Sequence, residues 1–268
     1  MRLAALAAAL LLLPAAASAR PRRKAPRRAK ATARKIDAKA AEKKAAAASD
    51  GTALPVWAAS TAPVTLDLVK SRFAALDAKI VTLKADFRQF VNLDGSDTTQ
   101  EVAGAVLFQK PDLMRLTHTL PEAQTVVSDG TWLWVYRPST GQAIKTRLED
   151  WRRREPLAKG LLDFGRSADL LERYAAEIST VSAPGPDGYR TFVVALTPKP
   201  GKAGPGGDFR LTLKASTKDF FPAESTLRVG HASIRSEFSA VRLNPVLPPE
   251  TFHFTPPPGA DVFTAPSR

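Results

Sequence analysis

The sequence predicts a mainly β protein: an antiparallel barrel or strongly curved sheet of about eleven strands, covered by a few short helices. Three observations predict it. Short runs of alternating apolar and polar residues recur from Leu83 to 242, with turn signals between them at regular close spacing. No βαβ rhythm interrupts them, which argues against a parallel sheet. Helical spacing of apolar residues appears in the domain at only a few places, near 65–80, 155–164 and 167–171.

The elements follow in order. Arg2, the Leu/Ala run Leu3 to Leu13, Pro14 and Ala17-Ser18-Ala19 form a secretory signal, expected to be cleaved after Ala19. The apolar run is too short to span a hydrocarbon core of about 30 Å. Residues 20–62 are rich in Ala, Lys, Arg and Pro with almost no large apolar side chains, and are expected to be a disordered basic tail, with Trp57 and Pro63 marking the approach to folded structure. Of the 39 Lys+Arg, 12 lie in 20–44 with only 2 acidic residues; Arg2 is one more, so 45–268 carries 26 basic and 24 acidic residues. The net +13 therefore belongs to a tail and supports no basic groove on the fold. Weak contact of 20–44 with an anionic surface such as lipid headgroups is the functional alternative to a solvated spacer. Nucleic acid is not an expected partner of an exported chain. The absence of Cys excludes a disulfide framework, thiolate catalysis, Cys-ligated zinc and a lipid on cysteine.

The folded domain is expected over 63–268. Leu66, Val69, Phe73, Leu76 and Ile80 make one helical stripe, with Thr65 as N-cap. Strands follow from Leu83 and at 101–109, 113–119, 123–128, 131–137 and 142–147, broken by turns such as Asp94-Gly95, Pro121-Glu122 and Asp129-Gly130. More strands follow at 175–183, 188–197, 207–215, 223–230 and 232–242. Between Trp151 and Glu177 the alternation stops. Pro156 suits the first turn of a helix, and Leu157, Leu161, Leu162 and Phe164 crowd onto one side of it, up to Gly165. Ser167 is placed to cap a second short helix carrying Leu170 and Leu171. The apolar sheet rows include Val106 with Phe108, Met114 with Leu116, and Trp132 with Trp134 and Tyr136. Composition does not separate a filled core from a hollow one.

Four segments carry a resemblance. Lys84-Ala85-Asp86-Phe87-Arg88-Gln89, Gly104 to Pro111, Val127 to Tyr136 and Phe252 to Val262 stand in register over about two hundred residues. Together they resemble the periplasmic outer-membrane lipoprotein carrier family (LolA). The resemblance implies an unclosed antiparallel barrel with a helical lid over an apolar cavity. It implies a periplasmic carrier that hides the acyl chains of lipoproteins. Its partners would be an inner-membrane ABC-type releasing complex and an outer-membrane acceptor, with no covalent chemistry. Cavity candidates are Leu76, Ile80, Met114, Leu116, Trp132 and Trp134; lid candidates are Leu157, Leu161, Leu162 and Phe164. Lys110 stands where many family members have an Arg that bonds lid carbonyls, so it is the expected latch, looser because it lacks the planar fork.

Other chemistry finds little support. His118, His231 and His253 are isolated, with no metal-ligand spacing. There is no G-x-S-x-G elbow, and the Gly201 to Gly207 stretch lacks the phosphate-binding ending. Trp151-Arg152-Arg153-Arg154 is either a partner-steering patch or a solvated turn. No catalytic residue, metal or cofactor is expected, and the chain is expected to be monomeric. The alternative function is a periplasmic sensor that binds a lipoprotein or glycolipid and regulates a signalling partner.

Overall fold

The computed structural model describes residues 50–154, 164–201 and 208–265. The expected signal segment, residues 20–49 and the lid candidates Leu157, Leu161 and Leu162 lie outside them. The helices are α1 (Leu66–Lys79), α2 (Leu148–Arg154), α3 (Ser167–Arg173) and a 3₁₀ turn, η1 (Pro249–Phe252). The strands are β1 (Thr82–Leu93), β2 (Thr99–Gln109), β3 (Leu113–Leu120), β4 (Gln124–Asp129), β5 (Trp132–Arg137) and β6 (Gln142–Arg147). They continue with β7 (Ala175–Val181), β8 (Thr191–Thr197), β9 (Phe209–Ser216), β10 (Glu224–Val229), β11 (Ala232–Leu243) and β12 (Asp261–Thr264).

Among the described residues these twelve strands make one sheet, ordered β12-β6-β5-β4-β3-β2-β1-β11-β10-β9-β8-β7. Neighbours are antiparallel except β12, which pairs parallel with β6. The ends of the order, β12 and β7, do not meet, so the sheet is unclosed. Two meanders, β2 to β6 and β7 to β11, flank β1, which joins them through β2 on one side and β11 on the other.

Period-two burial turns one face of the sheet to the helices. On β1 the pattern alternates over Leu83, Ala85, Phe87, Gln89 and Val91, all buried. Register carries the same face across the strands: Ala85, Val106, Leu116, Val126 and Val135 are successive neighbours. Thr65 caps α1 as expected, its side chain accepting from Leu68 N at 3.2 Å. The helix buries Val69, Phe73 and Leu76, and Ile80 follows at its C-cap. Each such burial contributes about 1.5–3 kcal/mol. The helix lies across two clusters of core residues. Leu76 and Ile80 join Phe108, Met114 and Leu116 in the first, while Val69 and Phe73 join Leu170, Phe192 and Leu213 in the second.

Three expectations change. The folded part begins earlier than 63. Residues 50–62 run along the sheet, where Thr52 pairs with Leu243 and Trp57 N donates to Lys218 O at 2.7 Å. Leu54 and Trp57 pack on the two core clusters, one on each, which is what an Ala/Pro-rich composition conceals. The stretch 151–154 is part of a helix rather than a solvated turn. Trp151 is buried, Arg152 pairs with Asp112, and Arg153 pairs with Asp150 and Glu149. Ser167 is the first residue of α3 rather than its cap; the N-cap is Arg166, with no side-chain cap bond of its own.

His118 is 3 % exposed on the inner face, edge-on to Phe87 with ring centroids 5.5 Å apart. Burial holds its imidazole below the ordinary His range, only partly opposed by a bond to the Gln124 carbonyl. The unfolded chain therefore takes up this proton first, and stability falls as pH drops below about 6.5. The loss is at most about 1.4 kcal/mol per pH unit. In His118→Gln, the decline in urea stability between pH 7 and pH 5 should be smaller than in the wild type. An unchanged decline would mean that this imidazole does not set it.

Candidate functional site

The site is the contact between the apolar sheet face and its helical cover. Phe164 is the wedge. It is buried, its ring 5.6 Å from Phe108 on β2 and 5.2 Å from Phe238 on β11. It thus spans the centre of the sheet, with β1 between those two strands. Gly165 follows with φ +74, a left-handed turn that lets the chain reverse into α3. Its surroundings are also close: a Cβ there would stand 2.6 Å from Lys110 Cε, the mobile end of that side chain, and 3.3 Å from Ile80 Cβ.

Between cover and sheet lies a cavity of about 40 Å³, bordered by Leu76, Ile80, Phe164, Leu170, Leu213 and Phe238 among others. It lies where the two core clusters meet. That volume holds water-sized molecules; benzene occupies an apolar cavity of about 150 Å³. The hollow expected for acyl chains is thus largely filled, because Phe164, Phe221 and Phe238 occupy the space themselves. Phe221 lies between the strands expected at 207–215 and 223–230, where no alternation marks it as a core residue. The available signal was two consecutive Phe in a turn, both of which are buried.

Leu76 and Ile80 border this cavity, and Met114 and Leu116 are buried on the same face within the first core cluster. Trp132 and Trp134 do not belong there. On β5 the inner residues are Leu133 and Val135, and both Trp are half-buried on the opposite face. Lys145 Nζ sits over Trp132 at 4.0 Å and over Trp134 at 5.0 Å, and Phe254 packs on Trp134 at 5.6 Å. Both faces of β5 are apolar, so its own alternation gave no direction; the register with Val126 and Ser128 sets it.

Lys110 donates from Nζ to the Asp77 carbonyl at 2.6 Å, in the last turn of α1. Its chain end also lies against Gly165, beside Phe164. The carbonyl it holds belongs to α1 rather than to the segment from Phe164 to α3. Beside it Asp77 is buried, and Asp77 Oδ2 accepts from Ala168 N at 2.8 Å. Sequence reading missed Asp77, which looks like one more polar position in a helix.

The geometry is that of an open single-sheet half-barrel whose apolar face is closed by helices, with no group of three or more His, Cys, Asp or Glu placed to hold a metal among the described residues. No helix among those residues is long and apolar enough to cross a membrane. Residues 78–255 match the family described as Outer membrane lipoprotein carrier protein LolA, and the chain belongs to that family. It is 30% identical over 187 residues to the outer-membrane lipoprotein carrier protein of Dechloromonas aromatica, covering 68% of this chain and 80% of that protein. It is 31% identical over 192 residues to that of Nitrosospira multiformis, covering 68% and 82%. A crystal structure of a LolA superfamily protein from Nitrosomonas europaea aligns over 72% of this chain and 99% of its own, at 14% identity and a TM-score of 0.38.

Proposed function

We propose that the protein is an exported, periplasmic carrier that shields the acyl chains of lipoproteins against the inner face of its sheet. It would receive them from an inner-membrane ABC-type complex and pass them to an outer-membrane acceptor. The observation that carries this reading is the cover. A mostly apolar sheet face, crossed between its two clusters by the buried polar row Gln89, Ser236 and Ser225, is closed by Phe164 and two helices.

Moving a lipid tail through water costs about 0.8 kcal/mol per CH₂, so a soluble carrier must offer a comparable apolar surface. An empty carrier that left such a face exposed would aggregate. The cavity of about 40 Å³ fits an empty, closed form in which the protein's own aromatics stand where chains would lie. Loading then means lifting Phe164 and its flanking segment, exposing Phe108, Met114, Leu116 and Leu133 to the cargo. Lys110 would help hold the closed form through α1. The basic residues 20–44 would add weak attraction to anionic headgroups.

The test is transfer. Purified protein is added to spheroplasts carrying radiolabelled lipoprotein and then to outer membranes. A carrier releases the label into a soluble complex and delivers it. Binding without delivery would favour a sensor, and no soluble complex would overturn both.

A further inference from the structure

Asp77 stands in the last turn of α1, where a carboxylate meets the unfavourable end of its own helix dipole. It is 8 % exposed, and its Oδ2 accepts from Ala168 N at 2.8 Å, in the first turn of α3. There a carboxylate meets the favourable end of another helix, whose own N-cap, Arg166, supplies no side-chain acceptor. The same residue's carbonyl is held by Lys110 Nζ at 2.6 Å, and Lys110 in turn lies against Gly165. One residue thus ties Lys110, just past the end of β2, to α1 and to the segment Phe164 to Ala168 beside the cavity. A second tie, Lys70 to Glu172 at 3.3 Å, is exposed and counts for little.

We propose that Asp77 is the clasp of the cover: a positioning residue that holds α3 and Phe164 down on the empty carrier and lets go of Ala168 when cargo enters. The inference rests on the carrier reading for its purpose, but the clasp itself is a property of the empty protein. Its strength is self-limiting. Burial raises the carboxyl above the ordinary Asp range, opposed by the α3 amides and by Lys110. Lifting α3 returns the carboxylate to water, so part of the lost cap is offset by regained hydration. A neutral acceptor of the same shape would lack that compensation and hold α3 at least as firmly.

The experiment compares the full chain with Asp77→Ala and Asp77→Asn, by hydrogen exchange of the α3 amides and by uptake of dansyl-undecanoic acid. Loss of a cap contributing about 1 kcal/mol predicts α3 exchange about fivefold faster in Asp77→Ala, with β1 and β11 unchanged. Probe affinity should rise by a similar factor. In Asp77→Asn, α3 exchange should be no faster than in the wild type, and probe affinity equal or lower. Equal α3 exchange in all three proteins overturns the clasp. If Asp77→Ala does not fold, faster α3 exchange in Asp77→Asn overturns it. Side-chain-dependent exchange without probe uptake by any of them supports the clasp and overturns the carrier reading.

Discussion

Phe164→Ala is expected to make the protein less stable and a better receiver of acyl chains. The Phe164 ring fills the space between Phe108 and Phe238, next to a cavity of about 40 Å³. Removing a buried Phe ring costs about 3–5 kcal/mol, because the transfer term is lost and the surroundings collapse only in part. At this site the deletion also enlarges the cavity into which the proposed carrier would take a chain. Urea denaturation should therefore show a lower midpoint while dansyl-undecanoic acid binds more tightly. A Phe73→Ala control, in the core cluster that Phe164 does not join, should lose comparable stability without gaining affinity. Equal affinity changes in the two variants would separate Phe164 from the site.

Gly104→Ala is expected to be the most damaging single-methyl change. A Cβ at this position would stand 2.1 Å from Thr117 O and 2.9 Å from His118 Cα. Both are backbone atoms of β3, and no side-chain rotation relieves them. The β2–β3 register already shifts between Ala103 and Gly104, which brings the two strands into this close approach. Opposite Gly104 on β1 is Phe87, which leans across the vacant position onto the His118 ring. A stability loss of about 3 kcal/mol or more is expected, at the upper end for overpacking. Thermal denaturation should show a drop on the order of 10 °C for a domain of this size. A melting temperature within a degree or two of the wild type would contradict the register of β2 on β3.

Much of the fold was legible because period-two alternation needs no tertiary information. Eleven strands announced themselves through rows such as Leu211 with Leu213 and turns such as Asp129-Gly130, where Asp129 Oδ1 accepts from Trp132 N at 2.7 Å. The twelfth did not. Asp261–Thr264 is four residues long and exposed throughout, and it is a strand because β6 offers it a parallel edge. The strap at 50–62 was hidden by composition, since two anchors, Leu54 and Trp57, set it down among small residues. The site was legible only in outline. Leu76, Ile80, Met114, Leu116 and Phe164 lie on apolar stripes, and a stripe gives its own direction when the opposite face is polar. Trp132 and Trp134 failed that condition, because Leu133 and Val135 are apolar too. Asp77 was out of reach altogether, since its role exists only where the end of α1 meets the start of α3.

The central claim is that acyl chains lie against the inner face of this sheet once the cover lifts. A triacylated lipopeptide carrying a diazirine on one acyl chain, loaded onto the full chain and photolysed, tests it most directly, with the labelled residues located by mass spectrometry. Label on Leu76, Phe108, Met114, Leu116 or Leu133 is the predicted result. Label confined to Trp132, Trp134 and Phe254 on the opposite face, or no label at all, would contradict it.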